Sequence, residues 1–274
     1  MNTTQIRKVL AAGRPVYGTL IVSPSPRWPA TVAKLGLDFV FIDTEHIAID
    51  RGQLSWMCQT YAALGLAPIV RIPSPDPYEA CMVLDGGAGG VIAPYVETVA
   101  QAQALRGAVK LRPLKGERLA AALRDGGTFE PELRAYVDKS NRDSLFIINV
   151  ESKPALGRLD ELLAVPDLDA VLIGPHDLSC SLGIPERYDD PRFEAAVLAI
   201  IRKARAAGVA AGMHWWGSPV RFGAWREAGL NLIICSADIT AMQAKLSEDI
   251  RALKKMAGDA PGVVGGASPS NTPA

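Results

Sequence analysis

The sequence lacks the patterns that mark several common protein classes. Lysine plus arginine and aspartate plus glutamate balance at 29 each, so no charge excess indicates a nucleic-acid or membrane surface. No apolar run approaches the roughly 20 residues of a membrane-spanning helix. The N-terminal stretch "MNTTQIRKVLAAGRP" lacks the apolar core of a signal peptide. These absences predict a soluble protein of the cytoplasm.

Cysteine and glycine patterns exclude further classes of site. No C-x-x-C spacing occurs, which argues against a disulfide framework and against a thiolate metal site. The cysteines are Cys58, Cys81, Cys180 and Cys235. No G-x-G-x-x-G follows the first apolar run, so the usual dinucleotide fingerprint is missing.

The last stretch, "GDAPGVVGGASPSNTPA", has too little apolar bulk to fold alone. Nearly half of all residues are hydrophobic, which is enough for a sizeable core. We therefore predict one folded domain over residues 1–256 and a disordered tail over residues 257–274.

Short apolar segments of strand length recur eight times, and segments with helical spacing that end in glycine separate most of them. The apolar segments cover residues 16–22, 38–43, 67–72, 89–96, 145–151, 169–175, 209–215 and 230–236. Alternation of strand and helix predicts right-handed parallel units, and eight such units close into a (β/α)8 barrel. An open doubly wound sheet is the alternative, which the missing fingerprint disfavours. The predicted fold is an α/β TIM barrel with a C-terminal helix.

The connection between the fourth and fifth predicted strands is unusually long, at about fifty residues. It contains "KLRPLKGERLAAALRDGG", in which Pro113, Lys115, Gly116, Arg118 and Arg124 would suit a loop over an anionic ligand. A solvated basic loop followed by an ordinary helix is an equally open alternative.

Polar side chains with catalytic potential follow the predicted strands. These are Asp43, Glu45, His46, Arg71, Glu151, His176, Asp177 and His214. The carboxyl ends of barrel strands form the face where active sites are built, so we expect the eight residues to share one pocket. Two carboxylates from adjacent strands are what a hard divalent cation such as Mg²⁺ or Mn²⁺ prefers. The alternatives are ordinary ones: Asp177 caps a helix, and each histidine is a loop residue.

The motifs "FIDTEH", "PIVRI", "LDGGAGGVIAPYVET", "RPLKGER", "INVES" and "VLIGPHDLS" carry a resemblance to a known family. Over about residues 5–250 the chain resembles the HpcH/HpaI family of metal-dependent class II pyruvate aldolases. That family includes 4-hydroxy-2-oxoheptanedioate aldolase and 2-keto-3-deoxy-sugar-acid aldolases. The resemblance implies a barrel of the phosphoenolpyruvate/pyruvate type.

The resemblance also implies roles for individual residues. Glu151 and Asp177 would hold a divalent metal, Mg²⁺, Mn²⁺ or Co²⁺. Arg71 would hold the keto or enolate oxygen of pyruvate. His46, oriented by Asp43, would be the acid/base element.

Further residues are expected at the substrate and at a subunit boundary. Asn149, His176, Asp177, His214 and Arg124 are expected to contact substrate alongside Arg71. Family members are commonly hexamers built as trimers of dimers, in which an aspartate resembling Asp85 approaches the site from a neighbouring subunit. The alternative for Asp85 is a turn cap in "LDGG".

The expected activity is reversible cleavage of a 4-hydroxy-2-oxo acid into pyruvate and an aldehyde through a metal-stabilised enolate. The alternatives are an oxaloacetate decarboxylase, a citrate or malyl thioester lyase, or a barrel that binds a 2-oxo acid without turnover. Departures from the family include Asn149, where glutamine is usual, His176, where a small residue is usual, and the segment around His214 and Trp215, where apolar residues are usual. Leu20 also replaces a frequent aromatic residue, and "GER" replaces the usual G-x-R-G run. These departures predict a remodelled aldehyde pocket. Either the two histidines meet a polar or bulky second substrate, or they hydrogen-bond each other.

Overall fold

A computed structural model describes residues 1–124 and 129–258 of the chain, and eight parallel strands in it close into a barrel in chain order. The predicted (β/α)8 barrel is therefore confirmed, and the open sheet is not observed. The strands are β1 Val16–Ile21, β2 Phe39–Asp43, β3 Ala67–Arg71, β4 Gly90–Ala93, β5 Leu145–Asn149, β6 Ala170–Ile173, β7 Ala210–Trp215 and β8 Leu232–Ala237.

The described residues also form thirteen helices, most of which lie between consecutive strands. They are α1 Thr3–Ala11, α2 Trp28–Val32, α3 Arg51–Ala63, α4 Pro77–Asp85, α5 Val99–Lys110, α6 Gly116–Arg124, α7 Pro131–Asn141, α8 Lys153–Gly157, α9 Leu159–Leu163, α10 Pro175–Ser181, α11 Pro191–Ala206, α12 Val220–Glu227 and α13 Asp238–Ala257. The predicted C-terminal helix is present as α13. The tail was predicted from residue 257, but α13 includes Ala257, and residues from 259 onward lie outside the described residues. None of the helices described is both long and apolar enough to cross a membrane.

Several strands are shorter than predicted because the chain leaves the sheet before the polar residues begin. Strand β4 ends at Ala93, and the segment 94–96 turns away over the barrel mouth. Strand β5 ends at Asn149, so Glu151 stands two residues beyond it. The chemistry-bearing residues therefore lie partly on strand ends and partly on the loops that follow them.

Side chains of each strand alternate between the barrel interior and the layer beneath the helices. The interior cluster includes Phe39 and Phe41 of β2 and Ala67 and Ile69 of β3. Continuing the same alternation points the side chains of four strand-end residues into the barrel mouth. These are Asp43, Arg71, Asn149 and His214. The interior is apolar below this polar layer.

Helix α1 closes the opposite end of the barrel. Its Ile6 and Leu10 belong to the interior cluster and are buried. A capping box fixes the start of α1, in which the side chains of Asn2 and Gln5 each accept from the other's backbone N–H. The barrel is therefore plugged at its N-terminal end and open at the C-terminal ends of its strands.

The long connection between β4 and β5 folds as helices α5, α6 and α7. The two later helices share a small apolar cluster centred on Leu111, Ala122 and Val137. At the end of α5, Lys110 donates to the backbone carbonyl of Ser144, directly before β5 begins. The insertion therefore lies beside the N-terminal end of the barrel, and the expectation of a loop over this chain's own ligand is wrong; residues 125–128 lie outside the described residues.

Candidate active site

A buried ion pair between Asp43 and Arg71 forms the floor of the barrel mouth. The two residues are neighbours in the register of β2 and β3, which explains why their side chains meet. Arg71 donates through Nε to Asp43 Oδ1 at 2.8 Å and through Nη2 to Oδ2 at 2.6 Å. The exposed fractions of Asp43 and Arg71 are only 1% and 8%. Burial opposes the charged guanidinium, but the hydrogen bonds and charge of Asp43, with the charge of Glu45, outweigh it and raise the pKa of Arg71.

The carboxylate nearest His46 belongs to Glu45. His46 Nε2 lies 3.6 Å from Glu45 Oε2, which is also 3.1 Å from Arg71 Nε. Asp43 accepts hydrogen bonds from Arg71 and from the backbone N–H of Glu45. Both oxygens of Asp43 accept from Arg71, and no hydrogen bond joins Asp43 to His46 among the described residues, so the expected orienting role of Asp43 stays a prediction.

Glu45 is a site residue that the sequence reasoning left without a role, although it lies inside the "DTEH" motif. Burial raises the pKa of Glu45 to about 7; Arg71 opposes the rise, and the charges of Asp43 and Asp177 add to it. Burial and the charge of Arg71 lower the pKa of His46. The pKa of the Glu45 carboxyl is therefore raised while that of the neighbouring imidazole is lowered, which favours proton transfer between the two groups.

Glu151 is held by one donor on the loop after β4 and one at the end of β5, and it is 2% exposed. Its Oε1 accepts from the backbone N–H of Tyr95 at 2.8 Å, and its Oε2 accepts from Asn149 Nδ2 at 2.9 Å. Tyr95 adopts a φ of 47°, an unusual conformation for a residue with a side chain. Burial raises the pKa of Glu151 to about 7; the N–H of Tyr95 opposes the rise, and the charge of Asp177 adds to it. No motif in the sequence indicates that the backbone of Tyr95 takes part in the site.

Asn149 supports Glu151 in this structure, whereas the sequence reasoning expected it to contact substrate. Its amide nitrogen is used by Glu151, and its Oδ1 is buried without a hydrogen-bond partner among the described residues. An unpaired buried acceptor is costly, so a donor is expected at this point when the site is filled.

Asp177 lies in the first turn of α10, where a carboxylate is favourable beside the helix N-terminus. The N-cap is Gly174, which excludes the alternative that Asp177 is the cap. The charge of Asp177 contributes to the raised pKa of both Glu151 and Glu45, so it lies near both. In the described part of the chain, the Asp177 carboxylate has no hydrogen-bond or ion-pair partner.

The donor set fits a hard divalent cation. Glu151 and Asp177 offer carboxylate oxygens, and the unpaired Oδ1 of Asn149 can accept from a water beside the cation. Within residues 1–124 and 129–258, no three histidine, cysteine or acidic side chains form a metal-binding group by themselves. A cation at this site would therefore take two ligands from the protein and the rest from water and substrate, as Mg²⁺ commonly does.

Gly174 leaves room for the Glu151 carboxylate. A Cβ atom at position 174 would stand 2.1 Å from Glu151 Oε2, far inside contact distance. We expect Gly174→Ala to displace Glu151 and to weaken Mn²⁺ binding about tenfold or more, within the range found for groups that orient metal ligands. Mn²⁺ titration followed by electron paramagnetic resonance measures the effect.

The matched control for that substitution is Gly157→Ala in α8. A Cβ at position 157 meets nothing within 4 Å. Unchanged Mn²⁺ affinity in Gly157→Ala together with a loss in Gly174→Ala supports the steric argument. Equal affinities in both variants would contradict it.

The raised pKa values of Glu45 and Glu151 predict the pH dependence of the metal-free protein. Both groups move from 4.5 to about 7 on folding, so the folded state binds more protons than the unfolded state between these values. The contribution of these groups to the free energy of unfolding is therefore complete below about pH 4.5 and is lost as the pH rises through about 7. Urea unfolding in a chelating buffer measures the fall, and the Glu45→Gln/Glu151→Gln double variant should show a shallower one. An identical slope in both proteins would contradict the assignment.

His176 and His214 contact different residues, and the alternative that they hydrogen-bond each other is wrong. His176 Nδ1 lies 3.7 Å from Glu186 Oε1, and its Nε2 lies 3.8 Å from Cys180 Sγ. His214 Nε2 lies 3.0 Å from the backbone oxygen of Ser236 on β8. His176 therefore contacts residues that follow β6, whereas His214 contacts the backbone of β8.

Asp85 and Arg124 are not brought to this chain's own pocket. Asp85 is the last residue of α4 and pairs with Arg112 at 3.1 Å, near the N-terminal end of the barrel. Arg124 ends α6 and donates to Glu117 at 2.8 Å on the surface. Any contact of these two side chains with substrate requires a second copy of the chain.

Comparison with known proteins identifies relatives along most of the chain. The family model described as HpcH/HpaI aldolase/citrate lyase matches residues 19–228. The 2-dehydro-3,6-dideoxy-6-sulfogluconate aldolase of Pseudomonas putida is 31% identical, over 86% of this chain and 92% of the relative. The hydroxypyruvate/pyruvate aldolase of Rhizorhabdus wittichii is 33% identical, over 76% and 82%. The crystal structure of an HpcH/HpaI aldolase from Desulfitobacterium hafniense aligns with a TM-score of 0.79 at 26% identity, covering 94% of this chain and 98% of that one.

Proposed function

Because the chain belongs to the HpcH/HpaI aldolase/citrate lyase family and is a carbon–carbon lyase like its aldolase relatives, we propose that it is a divalent-metal-dependent pyruvate aldolase. Its reaction is the reversible cleavage of a 4-hydroxy-2-oxo acid into pyruvate and an aldehyde. One observation carries the proposal: the buried carboxylate of Glu151 is fixed by two donors next to the unpaired carboxylate of Asp177.

Glu151 and Asp177 are the residues that would hold the cation. Bound Mg²⁺, Mn²⁺ or Co²⁺ would supply an electrophile for the keto oxygen, where negative charge develops as the carbon–carbon bond breaks. The backbone N–H of Tyr95 and the side chain of Asn149 fix the direction of the Glu151 carboxylate. The protein therefore contributes a preformed pair of acidic ligands.

Arg71 supplies positive charge from the protein itself. Asp43 and Glu45 fix the guanidinium before substrate arrives, so little reorganisation is needed during the reaction. Its position inside the barrel mouth suits donation to the keto oxygen of pyruvate or to the enolate oxygen.

His46 and Glu45 are the groups that would move a proton. The lowered pKa of His46 leaves its imidazole neutral and able to accept a proton near neutral pH. Glu45, with a pKa of about 7 and 3.6 Å away, can take or return that proton. This pair differs from the Asp43–His46 pair expected from the resemblance.

Exchange of the methyl protons of pyruvate with deuterium tests the proposed chemistry. Nuclear magnetic resonance in heavy water follows exchange with Mn²⁺ and with a chelator. Metal-dependent exchange, together with release of pyruvate from a 4-hydroxy-2-oxo acid, supports the aldolase. Pyruvate binding without exchange would instead support a binding protein without turnover.

The surface of α13 supports the proposal that the protein is a homo-oligomer, in keeping with the expected hexamer. None of its twenty residues is buried, yet one face carries an apolar stripe at helical spacing. The stripe consists of Met242, Leu246, Ile250 and Leu253. A second copy of the chain is the proposed cover, because Asp85 can reach an active site only in another subunit.

We expect Leu246→Glu/Ile250→Glu to reduce the oligomer to a smaller species, since both substitutions put charge into the buried stripe. Light scattering coupled to size-exclusion chromatography measures the mass. Ala244→Glu, on the opposite face of α13, is the control and should keep the wild-type mass. The same mass in all three proteins would rule out α13 as a subunit contact.

The cysteines support a cytoplasmic location, which we also propose. All four are free thiols, and Cys180 and Cys235 are exposed. Exposed thiols persist in a reducing compartment, whereas disulfides are usual in oxidising ones.

A further inference from the structure

Of the three histidines, only His214 lies on a barrel strand at a position whose side chain points into the barrel. It follows Ala210 and Gly212 on the interior face of β7, while Met213 and Trp215 pack in the outer layer. Its ring is half-buried at the top of the apolar interior. A polar ring at this position therefore faces the space above the barrel floor.

The hydrogen bond to Ser236 fixes the tautomer of His214. The partner is a backbone carbonyl oxygen, which only accepts, so Nε2 must carry the proton. Burial is the main cause that lowers the pKa of His214 to about 4, so the ring is neutral at pH 7. A neutral ring with a proton on Nε2 carries a lone pair on Nδ1. No described residue donates a hydrogen bond to that atom.

The surroundings of the ring indicate what reaches Nδ1. The edge of Phe41 lies below, with ring centroids 5.7 Å apart, and Trp216 lies toward the rim at 5.5 Å. The charges of Arg71 and Asp43 both act on His214, which places it beside the proposed pyruvate site. A small molecule at this point would meet one acceptor nitrogen on a ring that lies between two aromatic side chains.

We propose, on the basis of the function proposed above, that Nδ1 of His214 accepts a hydrogen bond from a substrate hydroxyl at or next to the new carbon–carbon bond. His214 is then a specificity-determining residue, and Trp216 provides the apolar face for the carbon chain. Two substrates present this chemistry: a 2-hydroxyaldehyde acceptor, or hydroxypyruvate in place of pyruvate.

A pair of substitutions separates the two nitrogens of His214. In His214→Asn, the side-chain oxygen can occupy the place of Nδ1, while the contact with Ser236 is lost. In His214→Gln, the amide N–H can still reach the Ser236 carbonyl, while no acceptor remains at the place of Nδ1. A purely structural role for His214 would make Asn the more damaging change, and the proposed role makes Gln the more damaging one.

The experiment measures kcat/KM for three combinations with Mn²⁺ in wild type and both variants. Pyruvate with glycolaldehyde and hydroxypyruvate with acetaldehyde each carry one hydroxyl, and pyruvate with acetaldehyde carries none. In His214→Gln we expect kcat/KM to fall about tenfold for at least one hydroxyl-bearing combination, relative to the combination without a hydroxyl. His214→Asn should keep most of the wild-type preference. The substrate combination whose kcat/KM falls identifies whether the aldehyde or the 2-oxo acid carries the recognised hydroxyl.

An unchanged preference in His214→Gln, or an equal loss in both variants, would overturn the proposal. Metal-dependent proton exchange of pyruvate is measured in the same variants. If wild type lacks exchange, the proposed aldolase function itself fails. If metal-dependent exchange of pyruvate protons persists and the preference for hydroxyl-bearing substrates is the same in His214→Gln as in wild type, only the proposed role of His214 fails.

Discussion

Glu151→Gln is expected to eliminate Mn²⁺-dependent proton exchange of pyruvate and to reduce aldol cleavage by about a thousandfold or more, equivalent to about 4 kcal/mol. The substitution removes one of the two proposed carboxylate ligands. It also turns an amide NH₂ or a neutral oxygen toward Asn149, in place of the charged acceptor that Asn149 now contacts. Steady-state kinetics and Mn²⁺ titration measure the two losses.

Stability separates this effect from unfolding. Burial raises the pKa of Glu151 to about 7, which means that the charged form is unfavourable in the metal-free fold. Glu151→Gln should therefore unfold in a chelating buffer at the same temperature as wild type or higher, and should lose the stabilisation that Mn²⁺ gives to wild type. The control is Glu97→Gln, a neighbouring acid that accepts from Ser152 at 2.6 Å. Full Mn²⁺ binding by Glu151→Gln would contradict the assignment of the ligand.

Asp43→Ala is expected to lower the free energy of unfolding by about 3–5 kcal/mol, because it leaves the guanidinium of Arg71 buried with a reduced set of partners. Activity should fall with it, since Arg71 would lose its fixed direction. Urea unfolding at neutral pH measures the change in stability.

An exposed ion pair of similar length provides the control. Lys203 Nζ and Asp160 Oδ2 are 2.7 Å apart, but the exposed side-chain fractions are 47% and 76%. Asp160→Ala should cost at most about 1 kcal/mol. The double variant Asp43→Ala/Arg71→Met should recover part of the loss, since the buried guanidinium is then absent. Equal costs for Asp43→Ala and Asp160→Ala would contradict the description of the barrel floor.

The sequence predicted the barrel and its polar rim because both follow from short-range rules. Apolar segments of strand length alternate with helical segments, and the carboxyl ends of parallel strands form one face. The same alternation of side chains carries Asp43, Arg71, Asn149 and His214 into the mouth. Residues on strands were therefore the easiest to place.

The pairing of those residues was harder to predict because it depends on register and competition. Asp43 had two possible partners, His46 close in sequence and Arg71 on the next strand. The register of β2 and β3 sets Asp43 beside Arg71, and a buried cation attracts a carboxylate more strongly than a neutral imidazole does. The resemblance favoured His46, whereas the hydrogen bonds of Asp43 in this structure go to Arg71 and to the backbone of Glu45.

No sequence pattern predicts the backbone conformations that shape the site or the packing of the long insertion. The left-handed conformation of Tyr95 and the space kept open by Gly174 become visible only when three loops are placed together. The basic residues before Arg124 are compatible with a loop or a helix, and only the small apolar cluster around Ala122 decides between them.

A crystal grown with Mn²⁺ and pyruvate tests the central claim most directly, through the anomalous scattering of manganese. The proposed function predicts one anomalous peak between the carboxylates of Glu151 and Asp177, with the pyruvate keto oxygen within reach of Arg71. Absence of a peak there at saturating Mn²⁺, with the two carboxylates turned away from each other, would contradict it.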